Sequence, residues 1–121
     1  MDPGNTSVLE LQKLFAELSS EFILWLRENG YEVTYGETYR PPETAALYAK
    51  QGRGVTNSLH CWRLAIDLNL FRNGKYLTTI DGYRTAGAKW KSMHSLCRWG
   101  GDFQHPEPDP DHFSLEWEGR A

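Results

Sequence analysis

Cysteine is scarce in this 121-residue chain, with two residues in all, and so is methionine. No disulfide framework can hold such a chain, and its cohesion must come from a hydrophobic core. Reduced thiols at Cys61 and Cys97 are the expectation, with a single bridge between them as the alternative. No apolar stretch reaches the roughly 18 residues of a membrane span. Residues 1–10, MDPGNTSVLE, show neither the basic nor the apolar segment of a secretory signal, so the NTS sequon at 5–7 carries no weight. An excess of basic residues is missing too. The net charge is −3 and no basic run accompanies the aromatics, which argues against nucleic-acid binding through bulk electrostatics. Internal repeats and low-complexity linkers are absent. What remains is 40% hydrophobic and 24% charged, the balance of a globular chain, and its length predicts one domain over residues 1–121.

Periodicity predicts the elements. Leu11, Leu14, Phe15, Leu18, Phe22 and Leu26 recur at helical spacing, with Ser7 and Glu10 as a capping box and Asn29-Gly30 as the stop. YEVTY, 31–35, alternates as a strand with Tyr31, Val33 and Tyr35 on one face. Pro41-Pro42-Glu43 opens a second helix running to about Lys50. Residues 51–59, QGRGVTNSL, read as a loop, and they lack the Gly-Lys-Ser/Thr of a phosphate loop. A strand from Leu64 to Phe71 turns through RNGK, whose Asn-Gly is a hairpin signal, into Tyr76-Leu77-Thr78. A third helix is predicted over 83–98, with Ala86, Trp90, Met93 and Cys97 in one stripe and Gly100-Gly101 as its end. DFQHPEPDPD is too rich in proline to be regular. HFSLEW then alternates as a last strand. The fold class is α+β, with a small, mainly antiparallel sheet.

Strand parity locates the chemistry. Ile66, Leu68 and Leu70 must face the core, so Asp67 and Asn69 point the other way. Phe113, Leu115 and Trp117 likewise leave His112, Ser114 and Glu116 on the opposite face. If the two strands are neighbours, Asp67 and His112 meet there. His60 has the wrong parity for one continuous strand and must fold back from the preceding loop. Two histidines and a carboxylate are the donor set of a catalytic zinc site with an open fourth position. Each residue also has a bland reading: a satisfied histidine, a solvated aspartate, a turn histidine after prolines. The rival cluster His94–Cys97 falls partly on the apolar stripe, where a core cysteine is the better account. Cys61 beside His60 is a poor nucleophile pair, since sequence neighbours rarely point together.

SLHCWRLAID, residues 58–67, closely resembles the Ser-x-His-x-x-Gly-x-Ala-x-Asp motif of the zinc-dependent D-alanyl-D-alanine and L-alanyl-D-glutamate peptidases. DPDHF, 109–113, is similar to that family's second motif, and TYRPPETAALYAKQGR, 38–53, to its upstream block. The blocks stand in family order. The resemblance implies a hedgehog/DD-peptidase-like fold, helices packed on one face of the sheet, and one zinc ion on His60, Asp67 and His112. It implies Asp109 as catalytic acid/base, Arg40 as the residue steadying the scissile carbonyl or its oxyanion and contacting substrate, and Ser58 as a substrate contact.

Two departures stand out: Arg63 occupies the motif's glycine position, and Ala45 stands where relatives often carry glutamine. Between the two acids of PDPDH, Asp111 directly precedes the strand and is expected to point to the opposite face. Asp109, beyond Pro110, is expected to turn back toward the metal. The function so implied is hydrolysis of peptidoglycan stem peptides, foremost at the L-alanyl-D-glutamate bond, by a monomeric phage endolysin. Such an enzyme is made in the host cytoplasm and reaches the wall after release, as holin-dependent lysis enzymes do. A D-Ala-D-Ala carboxypeptidase or dipeptidase, or a non-catalytic zinc-bearing module of the same fold, are the alternatives.

Overall fold

In a computed structural model the described residues are 7–52, 58–104 and 107–121. The first helix, α1 (Val8–Glu28), starts where the Ser7 hydroxyl accepts the Glu10 amide at 3.2 Å. It buries Leu11, Phe15, Leu18, Phe22 and Leu26 along one stripe. After the Asn29-Gly30 turn comes β1 (Glu32–Tyr35), followed by α2 (Pro42–Lys50), which carries proline in its first turn where no amide is needed. Residues Leu59–Trp62 form a 3-10 turn. The remaining elements are β2 (Ala65–Arg72), β3 (Lys75–Tyr76), α3 (Ile80–Met93), β4 (Cys97–Trp99), a second 3-10 turn at Gly100–Asp102, and β5 (His112–Leu115).

The strands are ordered β1-β2-β5-β4 with β3 hairpinned onto β2, and every pairing is antiparallel. The α+β expectation thus holds. Asn73 and Gly74, both at positive φ, make the tight turn that the Asn-Gly pair predicts. Only Lys75 and Tyr76 count as return strand, although the Leu77 amide still donates to Leu70 O at 2.9 Å.

The core lies between α1, α3 and one face of the sheet. Phe22 packs at 5.2 Å from Trp90 and 4.9 Å from Phe113, and Trp90 donates its indole N–H to Ser114 O. Ile66, Leu68 and Leu70 are buried, as their parity requires. Tyr31 is also buried, but Tyr35, on the edge strand, is 66% exposed and does not complete the predicted face.

The third helix differs most from expectation. It begins at the Thr79 cap, whose hydroxyl accepts the Gly82 amide, and it ends at Met93. His94 is extended and its Nδ1 accepts the Leu96 amide, so the chain leaves the helix. Cys97–Trp99 then pairs with β5 as an edge strand. Helical spacing of Met93 and Cys97 is a local preference; the ladder to β5 outweighs it. Cys97 is still a core residue, but it is buried from a strand, and both cysteines are free thiols.

Candidate metal centre

Register brings the two predicted strand residues together: Asp67 pairs directly with His112 across β2 and β5. Both project from the face away from the aromatic core. His60 arrives from the 3-10 turn. There the Ser58 hydroxyl caps the turn by accepting the His60 amide at 3.2 Å, and Arg63 ends it at φ 57° and ψ 35°. That left-handed backbone explains why a glycine suits position 63. Arg63 occupies it with its guanidinium laid over the Tyr39 ring at 4.1 Å.

His60 Nε2 lies 3.2 Å and His112 Nδ1 3.5 Å from Asp67 Oδ1, and the two imidazole centroids are 5.1 Å apart. His60 Nδ1 faces Thr38 O at 3.1 Å, which fixes the proton there and leaves the Nε2 lone pair for the centre. Both histidines are buried, and one ligand atom from each of the three residues falls within 4.8 Å of the others. Despite the near nitrogens, Asp67 Oδ1 is buried without a hydrogen bond of acceptable geometry. A buried carboxylate oxygen left in this state, between two imidazole nitrogens, is the donor set of a divalent cation, and N, N, O suits catalytic zinc.

The electrostatics agree. Burial raises the Asp67 carboxyl, but the His112 and His60 imidazoles close beside it outweigh burial and hold the pKa at about 2. Burial lowers His60, yet Asp67 prevails and its pKa is raised. The pocket is organised around one anion flanked by groups that take either protons or a cation.

Two more acids face this centre. Carboxylate oxygens of Asp67, Asp109 and Asp111 lie within 4.8 Å of one another. Asp109 is exposed on its outer side; desolvation of the side toward the centre, together with the hydrogen-bonded Asp111 carboxyl and the nearby Asp67, pushes it up to about 7. Desolvation raises Asp111 as well. The expectation that Asp111 would turn to the opposite face is therefore corrected. Strand geometry begins only at His112, and Asp111 sits in the turn before it, where its carbonyl accepts the Leu68 amide.

The backbone path of this turn is fixed by main-chain anchors. The Asp109 amide donates to Gly100 O at 2.8 Å, and Trp99 donates its indole N–H to Pro110 O at 2.7 Å. Arg40, 13% exposed, sends its amide to His60 O, its Nε to Glu37 Oε1 at 2.7 Å and its Nη2 to the same oxygen. Cys61 is half-buried, and desolvation pushes its thiol up, away from thiolate chemistry. His94 is extended, with its Nδ1 accepting the Leu96 amide, and Cys97 is a core residue; among the described residues neither joins a ligand group. Sequence reasoning passed over Glu37 and the Thr38 carbonyl. Glu37 had one available signal, its three-residue spacing from Arg40; a carbonyl has none.

Two buried histidines and an aspartate gathered beside a small antiparallel sheet carry the donor set of a zinc hydrolase. A family model for D-alanyl-D-alanine carboxypeptidase matches residues 51–115, more than half of the chain, and the chain belongs to that family of zinc peptidases acting on peptidoglycan peptides. It is accordingly a hydrolase. The fold is similar to that of the L-Ala D-Glu endopeptidase ChiX of Serratia marcescens, with a TM-score of 0.64 and 21% identity over 93% of this chain and 88% of that one. It is also similar to VanY, a vancomycin-resistance D,D-pentapeptidase from a VanB-type cassette solved with Zn(II). There the TM-score is 0.55 and identity 17%, covering 84% of this chain and 70% of that one. No curated protein matches the sequence significantly.

Proposed function

We propose that this chain is a zinc endopeptidase cutting the L-alanyl-D-glutamate bond of peptidoglycan stem peptides, as a phage endolysin made in the host cytoplasm and released to the wall. The observation that carries the peptidase reading is the convergence of His60, Asp67 and His112 with a further carboxylate, Asp109, beside them. A structural zinc needs no acid next to its ligands, which disfavours a non-catalytic module. For the bond, the support is the likeness to an L-Ala D-Glu endopeptidase over nearly the whole chain, and an aspartate in the second motif as in phage lysis peptidases. The family description itself favours a second reading, D-Ala-D-Ala carboxypeptidase.

His60 Nε2, Asp67 Oδ1 and His112 Nδ1 would hold the ion. Zinc bound there supplies Lewis acidity, polarising the amide carbonyl and making water a nucleophile near neutral pH. Asp109, with its raised pKa, takes the proton of the attacking water and returns it to the leaving amine. Arg40 presents a fixed positive charge to the oxyanion that develops on the carbonyl oxygen. Ser58 holds the 3-10 turn that aims His60, accepting the His60 amide on its hydroxyl, and its role as a substrate contact is the one the family motif implies.

Mass spectrometry of digested peptidoglycan tests the bond. New D-glutamate amino termini are expected; loss of terminal D-alanine alone would transfer the proposal to the carboxypeptidase. Asp109→Ala should keep zinc and fold while activity falls on the order of 10²-fold or more, and Asp111→Ala should cost far less. The reverse order would move the acid/base role to Asp111. Both variants fully active would end the mechanism. Lysis of outer-membrane-stripped cells by the added protein tests the endolysin role, and intact cells would count against it.

A further inference from the structure

The segment joining β1 to α2 is laced to two members of the triad. The Gly36 amide donates to Asp67 O at 2.8 Å, the Asp67 amide donates to Glu37 O at 2.8 Å, and the Arg40 amide donates to His60 O at 3.2 Å. Thr38 O faces His60 Nδ1. All four contacts use main-chain atoms of residues 36–40, so they survive a change of side chain there. Glu37 brings the segment's one acidic side chain. Its Oε1 takes both Nε and Nη2 of Arg40 and lies 3.9 Å from His60 Nδ1.

We propose that Glu37 is a positioning residue for the peptidase reaction: it locks the Arg40 guanidinium in one orientation and leaves its remaining donors to the substrate. This rests on the role given to Arg40 above. A guanidinium is planar, with five donors in a fixed fork, so holding the Nε–Nη2 edge fixes the direction of the rest. The Tyr48 ring, 5.3 Å from Cζ, covers one face of the same group. Among the described residues no hydrogen bond engages Nη1. An exposed pair at this spacing would do little, but Arg40 is largely buried against His60, where a second orientation has little room.

The test uses the zinc-loaded full chain and a soluble stem peptide, with Glu37→Gln, Glu37→Ala, Arg40→Ala and the double variant Glu37→Ala/Arg40→Ala. Misorienting a charge by about 1 Å costs on the order of 10²-fold. Glu37→Ala should therefore lower kcat by roughly 10- to 100-fold with KM nearly unchanged. Glu37→Gln, which keeps an acceptor oxygen, should recover part of the loss. The double variant should be no worse than Arg40→Ala, because the two residues act as one unit. Zinc content should stay at the wild-type value, the thermal midpoint should fall in Glu37→Ala because the largely buried Arg40 is left without its partner, and the Arg40 Nε–H proton resonance should shift and exchange faster in that variant.

Wild-type kcat in both Glu37 variants beside an impaired Arg40→Ala overturns the positioning role alone. Equal further losses in the two backgrounds also overturn it. Should Glu37→Ala fail to fold, Glu37→Gln decides: wild-type kcat with an unmoved Nε–H resonance rejects the proposal. Full activity of Arg40→Ala would remove both this role and the one assigned to Arg40.

Discussion

Gly100 opens the 3-10 turn after β4 and lies against the Asp109 carbonyl and the first residue of β5, His112. A Cβ at this position would stand 2.0 Å from Asp109 O and 2.8 Å from the His112 Cβ, and real Cβ contacts essentially never fall below 3.0 Å. The obstructing atom is a carbonyl oxygen, so no rotamer relieves it. Gly100→Ala therefore has to push the turn back by about 1 Å or more, against the hydrogen bonds that Asp109 makes to Gly100 O and to the His112 amide. Overpacking of this kind costs ~1–3 kcal/mol, which lowers the thermal midpoint by roughly 4–12 °C in a domain this size. The loss of activity should be larger than that destabilisation suggests. A displacement of about 1 Å at a catalytic group costs on the order of 10²-fold, and zinc affinity should fall because His112 moves too. Gly74→Ala is the control, since its φ of +76° is strained for alanine but its Cβ would meet nothing within 4 Å. It should lose stability by about 1 kcal/mol with activity intact. Gly100→Ala with wild-type turnover and zinc content would refute the close approach and the positional demand on Asp109 with it.

Arg63→Gly should be more stable than Arg63→Ala by about 0.5–1 kcal/mol, because both lose the stacking on Tyr39 but only alanine keeps the left-handed strain. Urea unfolding compares them, and an alanine variant of equal stability would contradict the strain. Chelation should lower the thermal midpoint of the zinc-loaded protein and leave His112→Ala unchanged; at 100-fold excess over Kd the bound ion contributes about 2.7 kcal/mol. The same response from both proteins would move the metal elsewhere. Burial lifts the Cys97 thiol from 9.0 to about 12. The folded value lies above the unfolded one, so stability is complete below pH 9 and is lost as pH rises toward 12, by about 1.4 kcal/mol per unit. Cys97→Ala should lose less stability than wild type between pH 8 and 11 in urea titrations, and an identical loss would assign the alkaline limit to other groups.

Alternation made the centre legible. Once Ile66, Leu68 and Leu70 are assigned to the core, Asp67 has only the other face, and the same step places His112, so their cross-strand pairing follows from parity. His60 was legible as a mismatch in that parity. Other features left no periodic trace. The edge strand at Cys97–Trp99 was hidden because Met93 and Cys97 continue a helical stripe, and only the partner strand decides against it. Asp111 was misplaced because strand geometry was extended one residue too early. Glu37 and His60 stand 23 positions apart with α2 between them, and no pattern within either segment announces their approach.

Asp109, Pro110 and Asp111 are each held through a backbone atom: an amide taken by Gly100 O, a carbonyl taken by the Trp99 indole, and a carbonyl taken by the Leu68 amide. Not one of these anchors depends on which side chains stand at 109 and 111. The scaffold therefore separates where an acid is presented from which acid is presented. An exchange of aspartate for glutamate at 109, or replacement of the second acid at 111, would retune reach and charge above the centre without altering the path of the chain.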